Sequence, residues 1–301
     1  MQVRLLPVLL AALLALGSAG IALAAIVSPD ERSSEAGAPA RAPAPPLPAP
    51  DAALPRDASA LAATLTETSR RLRAELARWQ SDGDLGRGGP PEAVTLLALH
   101  HQRLHRRLAT ARRLGDRVLA GLPADVRGEA RDIVLARRAL AAIPRRGAPP
   151  PVRTAAAEPA GVLRGAYAAA ARRFGVPWDV LAAINFVESA FGRVRSASEA
   201  GARGPMQFLP ATWRRYGMGG DIDDARDAIL AAANYLRASG APRDIRGALF
   251  AYNHSTHYVS GVLRLARRMR RDERAFLTLY TWQVYARTPS GARRLTGPGR
   301  E

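Results

Sequence analysis

The sequence of 301 residues contains no cysteine, which excludes a disulfide framework and a thiolate metal site. It also contains no lysine, so all 44 basic side chains are arginine. The formal net charge of +18 would ordinarily indicate a nucleic-acid partner. Because arginine is used exclusively and alanine is abundant, we interpret the charge as genome composition and expect no nucleic-acid partner. An exported protein of this charge would instead meet anionic wall polymers.

Charged residues are also missing from a long stretch near the N-terminus. Met1–Arg4 forms a short positive start, and residues 5–27 carry no charge. This run is longer than the usual signal-peptide core of about 7–15 residues and close to the roughly 20 residues that span a bilayer. Residues 22–24, Ala-Leu-Ala, offer a cleavage site for signal peptidase. We therefore predict that residues 1–27 are a signal peptide or membrane anchor. The protein would be exported to the cell envelope, either anchored by this segment or secreted after cleavage.

Proline-rich segments divide the rest of the chain. Residues 28–56 are rich in Ala and Pro, a composition that stays extended and acts as a semi-rigid spacer. A second proline-rich linker covers residues 144–157, and a tail with a possible β-hairpin covers residues 286–301. The sequence thus predicts a mainly α protein with two helical parts, residues 57–143 and 158–285. We expect residues 158–285 to fold on their own.

The first helical part shows three apolar stripes with helical spacing. They run over residues 61–79, 97–118 and 126–140, and Gly- and Pro-containing breaks separate them. Three antiparallel helices are the predicted result. The function of this part is not readable from its sequence, and we expect it to pack against residues 158–285.

Three histidines in the second stripe, His100, His101 and His105, could be interpreted as a metal site because two of them are one helical turn apart. No acidic residue lies near them in the sequence, and neighbouring arginines would repel a cation. We therefore interpret them as a solvated polar face and predict no metal.

Cap residues predict several helix ends in the second part. Gly175 is in the position of a C-cap, and Pro177 opens the next helix. Asp224, followed three residues later by Asp227, is typical of a helix N-terminus. A calcium site is the alternative for this acidic cluster, but the Gly and Glu positions of an EF-hand loop are absent.

The pattern of residues 256–269 predicts an amphipathic helix, and we expect its arginines to face solvent.

One acidic residue lies on the apolar side of the helix that Pro177 opens. Leu181, Ile184 and Phe191 share a stripe at helical spacing, and Glu188 falls on the same stripe. Burial disfavours the charged form of a carboxyl group, so Glu188 should be partly protonated near neutral pH, as a general acid requires. The alternative is a solvated glutamate at an irregular helix end.

A glycine-rich turn follows Glu188, with glycines at positions 192, 201 and 204. Residues 206–208, Met-Gln-Phe, then supply the stacking surface and the hydrogen-bonding amide that a sugar site needs. Several motifs in order, across about residues 160–265, resemble the lytic transglycosylase family. They are ES at 188–189, S at 198, GARGPMQF at 201–208, PATW at 210–213 and AYN at 251–253.

The resemblance implies a lysozyme-like fold and cleavage of peptidoglycan glycan strands. It implies one catalytic residue, Glu188, which protonates the glycosidic oxygen between N-acetylmuramic acid and N-acetylglucosamine. As a base, Glu188 would then help to close a 1,6-anhydro ring, and no metal or cofactor enters this reaction. The implied substrate-binding residues are Ser189, Ser198, Met206, Gln207, Phe208, Tyr252 and Asn253.

The sequence departs from the family pattern at two places. The family usually has Ala-Gly after AYN, whereas His254 and Ser255 stand here, and it often has Pro where Ala225 stands. Two other functions stay open at this point. One is a muramidase that hydrolyses the same bond, with Asp221 or Asp223 as the second carboxylate. The other is a peptidoglycan-binding module without catalysis.

Overall fold

The computed structural model describes residues 45–144, 151–288 and 291–300, and these form eleven helices and one two-stranded sheet. The mainly helical class is therefore confirmed. The predicted leader, residues 1–27, lies outside the described residues, as does most of the 28–56 spacer, so export stays a prediction. Within the described ranges, no helix combines the length and the hydrophobicity that crossing a membrane requires.

Residues 57–143 form four helices rather than the predicted three. The second predicted stripe is divided at Ala111, where the backbone leaves helical geometry with φ −85° and ψ 77°. Gly115 then passes so close to the Leu108 carbonyl oxygen that a Cβ atom would lie 2.2 Å from it. The four helices are α1 (Ala58–Asp82), α2 (Glu92–Thr110), α3 (Arg112–Gly121) and α4 (Ala124–Ala141).

The second part contains seven helices and the hairpin. The cap predictions are confirmed: Gly175 ends the first helix with φ +72°, and the Asp224 carboxylate accepts hydrogen bonds from the N–H groups of Arg226 and Asp227. The hairpin is also confirmed, with Tyr285 paired to Arg294 in an antiparallel register. The elements are α5 (Ala160–Phe174), α6 (Trp178–Ser189), α7 (Pro210–Tyr216), α8 (Ala225–Ala238), α9 (Ile245–Tyr252), α10 (Thr256–Arg271), α11 (Arg274–Tyr280), β1 (Tyr285–Thr288) and β2 (Gly291–Arg294).

The two helical parts share one hydrophobic core. Buried residues of α1, α2 and α4 belong to the same cluster as those of α5, α6, α8 and α10. Helix α10 packs against α4 on one side and α6 on the other, and at Gly261 a Cβ atom would lie 2.6 Å from Leu140 of α4. From Pro46 onward the described residues form one compact unit. The independent folding of residues 158–285 stays a prediction. A fragment of these residues would expose the apolar side chains that contact the first helical part in the shared core.

Two arginines of α10 are exposed, as predicted, and also form ion pairs with neighbouring helices. Arg267 forms an ion pair with Asp132 of α4 at 3.0 Å, and Arg270 forms one with Asp179 of α6 at 2.9 Å. The two arginine side chains are 49% and 61% exposed, whereas Asp179 is almost completely buried, with a side-chain exposure of 2%. These pairs connect α10 to both of its neighbours, a contact that periodicity alone does not reveal.

The histidines of α2 are likewise not a solvated face. His101 and His105 are 1% and 0% exposed, and their rings lie 4.1 Å apart. Burial lowers the pKa of His101 to about 3, so the imidazole is neutral at physiological pH. No group of three or more potential metal ligands occurs in the described part of the chain.

The described end of the 28–56 spacer lies against the helices instead of extending away from them. The Arg103 guanidinium of α2 donates hydrogen bonds to the carbonyl oxygens of Pro50, Asp51 and Ala52. Arg71 of α1 donates to the Pro46 carbonyl at 3.3 Å. Residues 46–52 are therefore not an extended spacer.

Candidate active site

Glu188 lies at the C-terminal end of α6, the helix at the centre of the second part. Residues 180–185 of this helix are completely buried, so α6 is surrounded by other elements for most of its length. The helix ends at Ala190 and Phe191, two consecutive residues with left-handed backbone conformation at φ 51° and 64°. Because the backbone changes direction at this turn, shortly after Glu188, the side chain of Glu188 is only partly buried and keeps some contact with solvent.

The Glu188 carboxyl group has one hydrogen-bond partner among the described residues. The Tyr258 hydroxyl donates a hydrogen bond to Oε1 at 2.7 Å. Burial raises the pKa of Glu188 to about 7, and the Tyr258 hydrogen bond, which favours the carboxylate, opposes this rise only in part. No arginine or second carboxylate of the described residues contributes. The group can therefore hold a proton near neutral pH and, once ionised, is stabilised by Tyr258.

Two tyrosine rings stack beside Glu188. The rings of Tyr252 and Tyr258 are nearly parallel, at 5°, with centroids 6.4 Å apart. The Tyr252 hydroxyl donates to the Met206 carbonyl oxygen at 2.6 Å, which ties the end of α9 to the loop opposite. Burial raises the pKa of both phenols well above the usual value, and the nearby Glu188 adds to the rise. Both tyrosines thus stay neutral hydrogen-bond donors.

The GARGPMQF segment forms a tight loop facing the end of α6. The N–H and C=O groups of Arg203 and Phe208 pair with each other at 2.9 and 2.8 Å. Gly204 has φ +75°, and a Cβ atom on it would lie 1.9 Å from the Ile222 carbonyl oxygen, so only glycine fits. Gln207 has φ 50°, and its amide donates to the Gly204 carbonyl oxygen at 3.1 Å. The backbone of the loop is therefore fixed by its own hydrogen bonds and by the close approach of Gly204 to the Ile222 carbonyl group.

Three of the predicted substrate-binding residues are buried. Met206 is 0% exposed and Phe208 is 3% exposed, so both belong to the core. Ser189 is 1% exposed; its hydroxyl accepts a hydrogen bond from the Gly192 N–H at 2.8 Å and donates to the Pro205 carbonyl. The Ser189 hydrogen bonds hold the glycine-rich loop against the end of α6. Direct sugar contact of these three residues stays a prediction.

The other four predicted residues keep some exposure. Ser198, Gln207, Tyr252 and Asn253 are all partly buried, so each can present atoms to a ligand. Ser198 closes the start of the loop, because its hydroxyl accepts a hydrogen bond from the Ala202 N–H at 3.0 Å. Asn253 ends α9 in an extended conformation. Their roles in substrate binding stay predictions.

Tyr258 is the site residue that the sequence analysis missed. Ser255 caps α10 by accepting from the Tyr258 N–H, which places Tyr258 in the first turn. Tyr258 shares a buried stripe with Val262, Leu265 and Met269. A tyrosine on such a stripe needs a partner for its hydroxyl group, and this was the available signal. The sequence could not reveal that the partner is Glu188, 70 residues earlier.

The acidic loop before α8 does not supply a second carboxylate to Glu188. Asp223 forms an ion pair with Arg203 at 2.9 Å, and Asp221 accepts a hydrogen bond from the Asp223 N–H at 2.9 Å. Both residues are exposed. Neither affects the pKa of Glu188.

Comparison with known proteins gives one match. Residues 166–274 match the family model described as the transglycosylase SLT domain. The matched segment begins within α5 and ends at the start of α11, so it includes Glu188, both stacked tyrosines and the glycine-rich loop. No curated protein and no solved structure matches the chain.

Proposed function

We propose that the protein is a peptidoglycan lytic transglycosylase, because residues 166–274 match the family model of the transglycosylase SLT domain. This match supports a peptidoglycan-cleaving activity in general terms. The finer proposal is cleavage of the β-1,4 bond between N-acetylmuramic acid and N-acetylglucosamine, with a 1,6-anhydro-N-acetylmuramic acid product. The observation that carries it is the partly buried carboxyl group of Glu188, whose pKa of about 7 suits both donation and acceptance of a proton.

In the proposed reaction Glu188 acts twice. The protonated carboxyl group gives its proton to the glycosidic oxygen as the bond from this oxygen to the muramic acid C1 breaks. The resulting carboxylate then removes the proton of the C6 hydroxyl group, whose oxygen forms the new bond to C1, so that no water is consumed. The Tyr258 hydroxyl, 2.7 Å from Oε1, stabilises the carboxylate between the two steps.

The arrangement favours this reaction over hydrolysis by two carboxylates. Hydrolases of that kind place the second carboxyl group about 5–5.5 Å away for retention or about 6.5–9.5 Å away for inversion. Asp221 and Asp223 are exposed; Asp221 accepts a hydrogen bond from the Asp223 N–H, and Asp223 pairs with Arg203 of the glycine-rich loop. A binding module without catalysis would not need the raised pKa of Glu188.

The proposed substrate, the glycan strands of peptidoglycan, lies outside the cytoplasm. Export through the predicted leader, residues 1–27, is therefore part of the proposal, with membrane attachment if the leader is not cleaved. We propose no nucleic-acid partner and no metal or cofactor for the reaction.

The test is product analysis by mass spectrometry after digestion of purified peptidoglycan. We expect muropeptides that end in 1,6-anhydro-N-acetylmuramic acid and are lighter by one water than the products of a muramidase. Glu188→Gln keeps the volume of the side chain but removes the transferable proton, so activity should fall by several orders of magnitude. Glu199→Gln, at an exposed position before the glycine-rich loop, is the matched control. Reducing-end products from the unmodified protein would establish a hydrolase instead.

A further inference from the structure

A cavity of about 330 Å³ lies between the hairpin and helices α2, α4, α6 and α10. Its wall includes none of the predicted sugar-binding residues and does not include Glu188. The side chains that define its chemistry are two arginines, two aromatic residues with polar atoms, and an apolar surface. They are Arg106, Arg137, Trp282, Tyr285, Phe186 and Leu265.

The two arginines have no acidic partner among the described residues. Neither Arg106 nor Arg137 forms an ion pair there, and no Asp or Glu lines the cavity. Burial and, to a lesser extent, the positive charge of Arg106 lower the pKa of Arg137 to about 10. Two positive charges therefore share one partly buried space, an arrangement that a bound anion would stabilise.

Aromatic rings compensate the positive charge of the two arginines only in part. The Arg106 guanidinium lies over the Tyr285 ring, 3.8 Å from its centroid, and that of Arg137 lies 5.7 Å from the Trp282 ring. A ring face attracts a cation but accepts no strong hydrogen bond. Two fully buried donors of cavity-lining residues, Arg137 Nε and Trp282 Nε1, have no partner among the described residues. Since buried donors are almost always paired, they indicate an acceptor that the described residues do not supply.

We propose that this cavity binds a small organic carboxylate with an apolar body. A carboxylate matches the planar fork of a guanidinium group and would neutralise the charge that Arg106 and Arg137 bring to the cavity. Phe186, Leu265 and their apolar neighbours would cover the rest of the molecule. The volume is at the lower end of the roughly 300–1,000 Å³ typical of ligand pockets, which limits the ligand to a small molecule. This site is separate from the proposed glycan cleavage, so its test can fail without affecting that proposal.

The experiment is titration calorimetry of the intact protein with phenylacetate, which combines a carboxylate with an apolar ring. Phenylacetamide has the same shape without the charge, and inorganic phosphate has charge without the apolar body. We expect phenylacetate to bind and both comparison molecules to bind at least about tenfold more weakly.

Variants decide whether the cavity is the binding site. Arg137→Gln and Arg106→Gln should each weaken binding of phenylacetate about tenfold or more, because each removes a charged donor. Arg107→Gln, on the exposed side of α2, is the matched control and should bind normally. Ala292→Phe places a larger side chain in the cavity from the exposed hairpin and removes no core atom. It should abolish binding of phenylacetate, and it tests the cavity independently of whether the arginine variants fold.

Any one of the following results would overturn the proposal. They are no binding of phenylacetate at millimolar concentration, equal binding of phenylacetamide, equal binding of phosphate, and unchanged binding in Ala292→Phe. An equal loss in Arg107→Gln would also overturn it, because that result would show attraction by the overall charge rather than by this cavity.

Discussion

Replacement of Glu188 by Gln should make the protein more stable at neutral pH while it removes activity. Gln keeps an oxygen that can accept the Tyr258 hydrogen bond, but it never ionises. The wild-type carboxyl group has a pKa raised from 4.5 to about 7 because it is buried. In the unfolded chain the same group ionises at its ordinary value, and this difference links folding to pH.

The sign of the effect follows from which state holds the proton. Below pH 4.5 Glu188 is protonated in both the folded and the unfolded chain, so its ionisation does not lower the unfolding free energy. Between pH 4.5 and about 7 the unfolded chain has released its proton while the folded chain retains it, so stability falls as the pH rises. The full loss corresponds to about 3 kcal/mol of unfolding free energy above pH 7. Glu188→Gln should regain this amount.

The assay is denaturation by guanidinium at a series of pH values from 4 to 8, with wild type and Glu188→Gln measured side by side. The two unfolding free energies should diverge as the pH rises, with the variant above the wild type. Glu199→Gln should follow the wild-type curve throughout, since that side chain is exposed. If the difference between Glu188→Gln and wild type is the same at pH 4 and pH 8, Glu188 has an ordinary pKa and the reasoning on its protonation is refuted.

Three further predictions concern the residues around Glu188 and the shared core. Tyr258→Phe removes a hydrogen bond that favours the carboxylate, and such bonds contribute about 1.5–3 kcal/mol. The alkaline midpoint of the pH–rate profile should therefore rise by about one pH unit or more; an unchanged midpoint would show that Tyr258 does not act on the acid. Gly204→Ala should lower the melting temperature far more than Gly201→Ala, because both positions have positive φ but only at 204 would the Cβ meet a carbonyl oxygen. Equal losses in the two glycine variants would count against that contact. A fragment of residues 158–285 should melt below a fragment of residues 57–300, since it exposes the faces of α10 and α11 that pack on α4 and α1, and equal melting temperatures by circular dichroism would disprove this.

Local features of the structure were predictable because their physical cause lies within a few residues. Gly175 ends α5, Asp224 caps α8 and the hairpin forms near residue 285, each as the sequence indicates. The position of Glu188 on an apolar stripe likewise predicted a partly buried carboxyl group. In each of these cases a backbone conformation or a helical period carries the information.

Features that depend on distant partners were not predictable. The arginines of α10 resemble a solvated face until Asp132 and Asp179 are placed opposite two of them. The α2 histidines resemble a polar face, yet the aromatic Trp282 lies 6.0 Å from both His101 and His105. A sequence stripe shows which residues share a side of a helix, but it does not show what that side meets.

The position of α10 between α4 and α6 has a consequence for transplanting the segment that matches the family model. Tyr258, whose hydroxyl binds the Glu188 carboxyl group, stands on the first turn of α10, and the same helix is held farther along by Asp132 of α4. The position of Tyr258 beside Glu188 therefore depends partly on a helix outside the matched segment. We expect a chimera that carries the motifs without α4 to keep every motif residue and still alter the acidity of Glu188, on which the proposed cleavage depends.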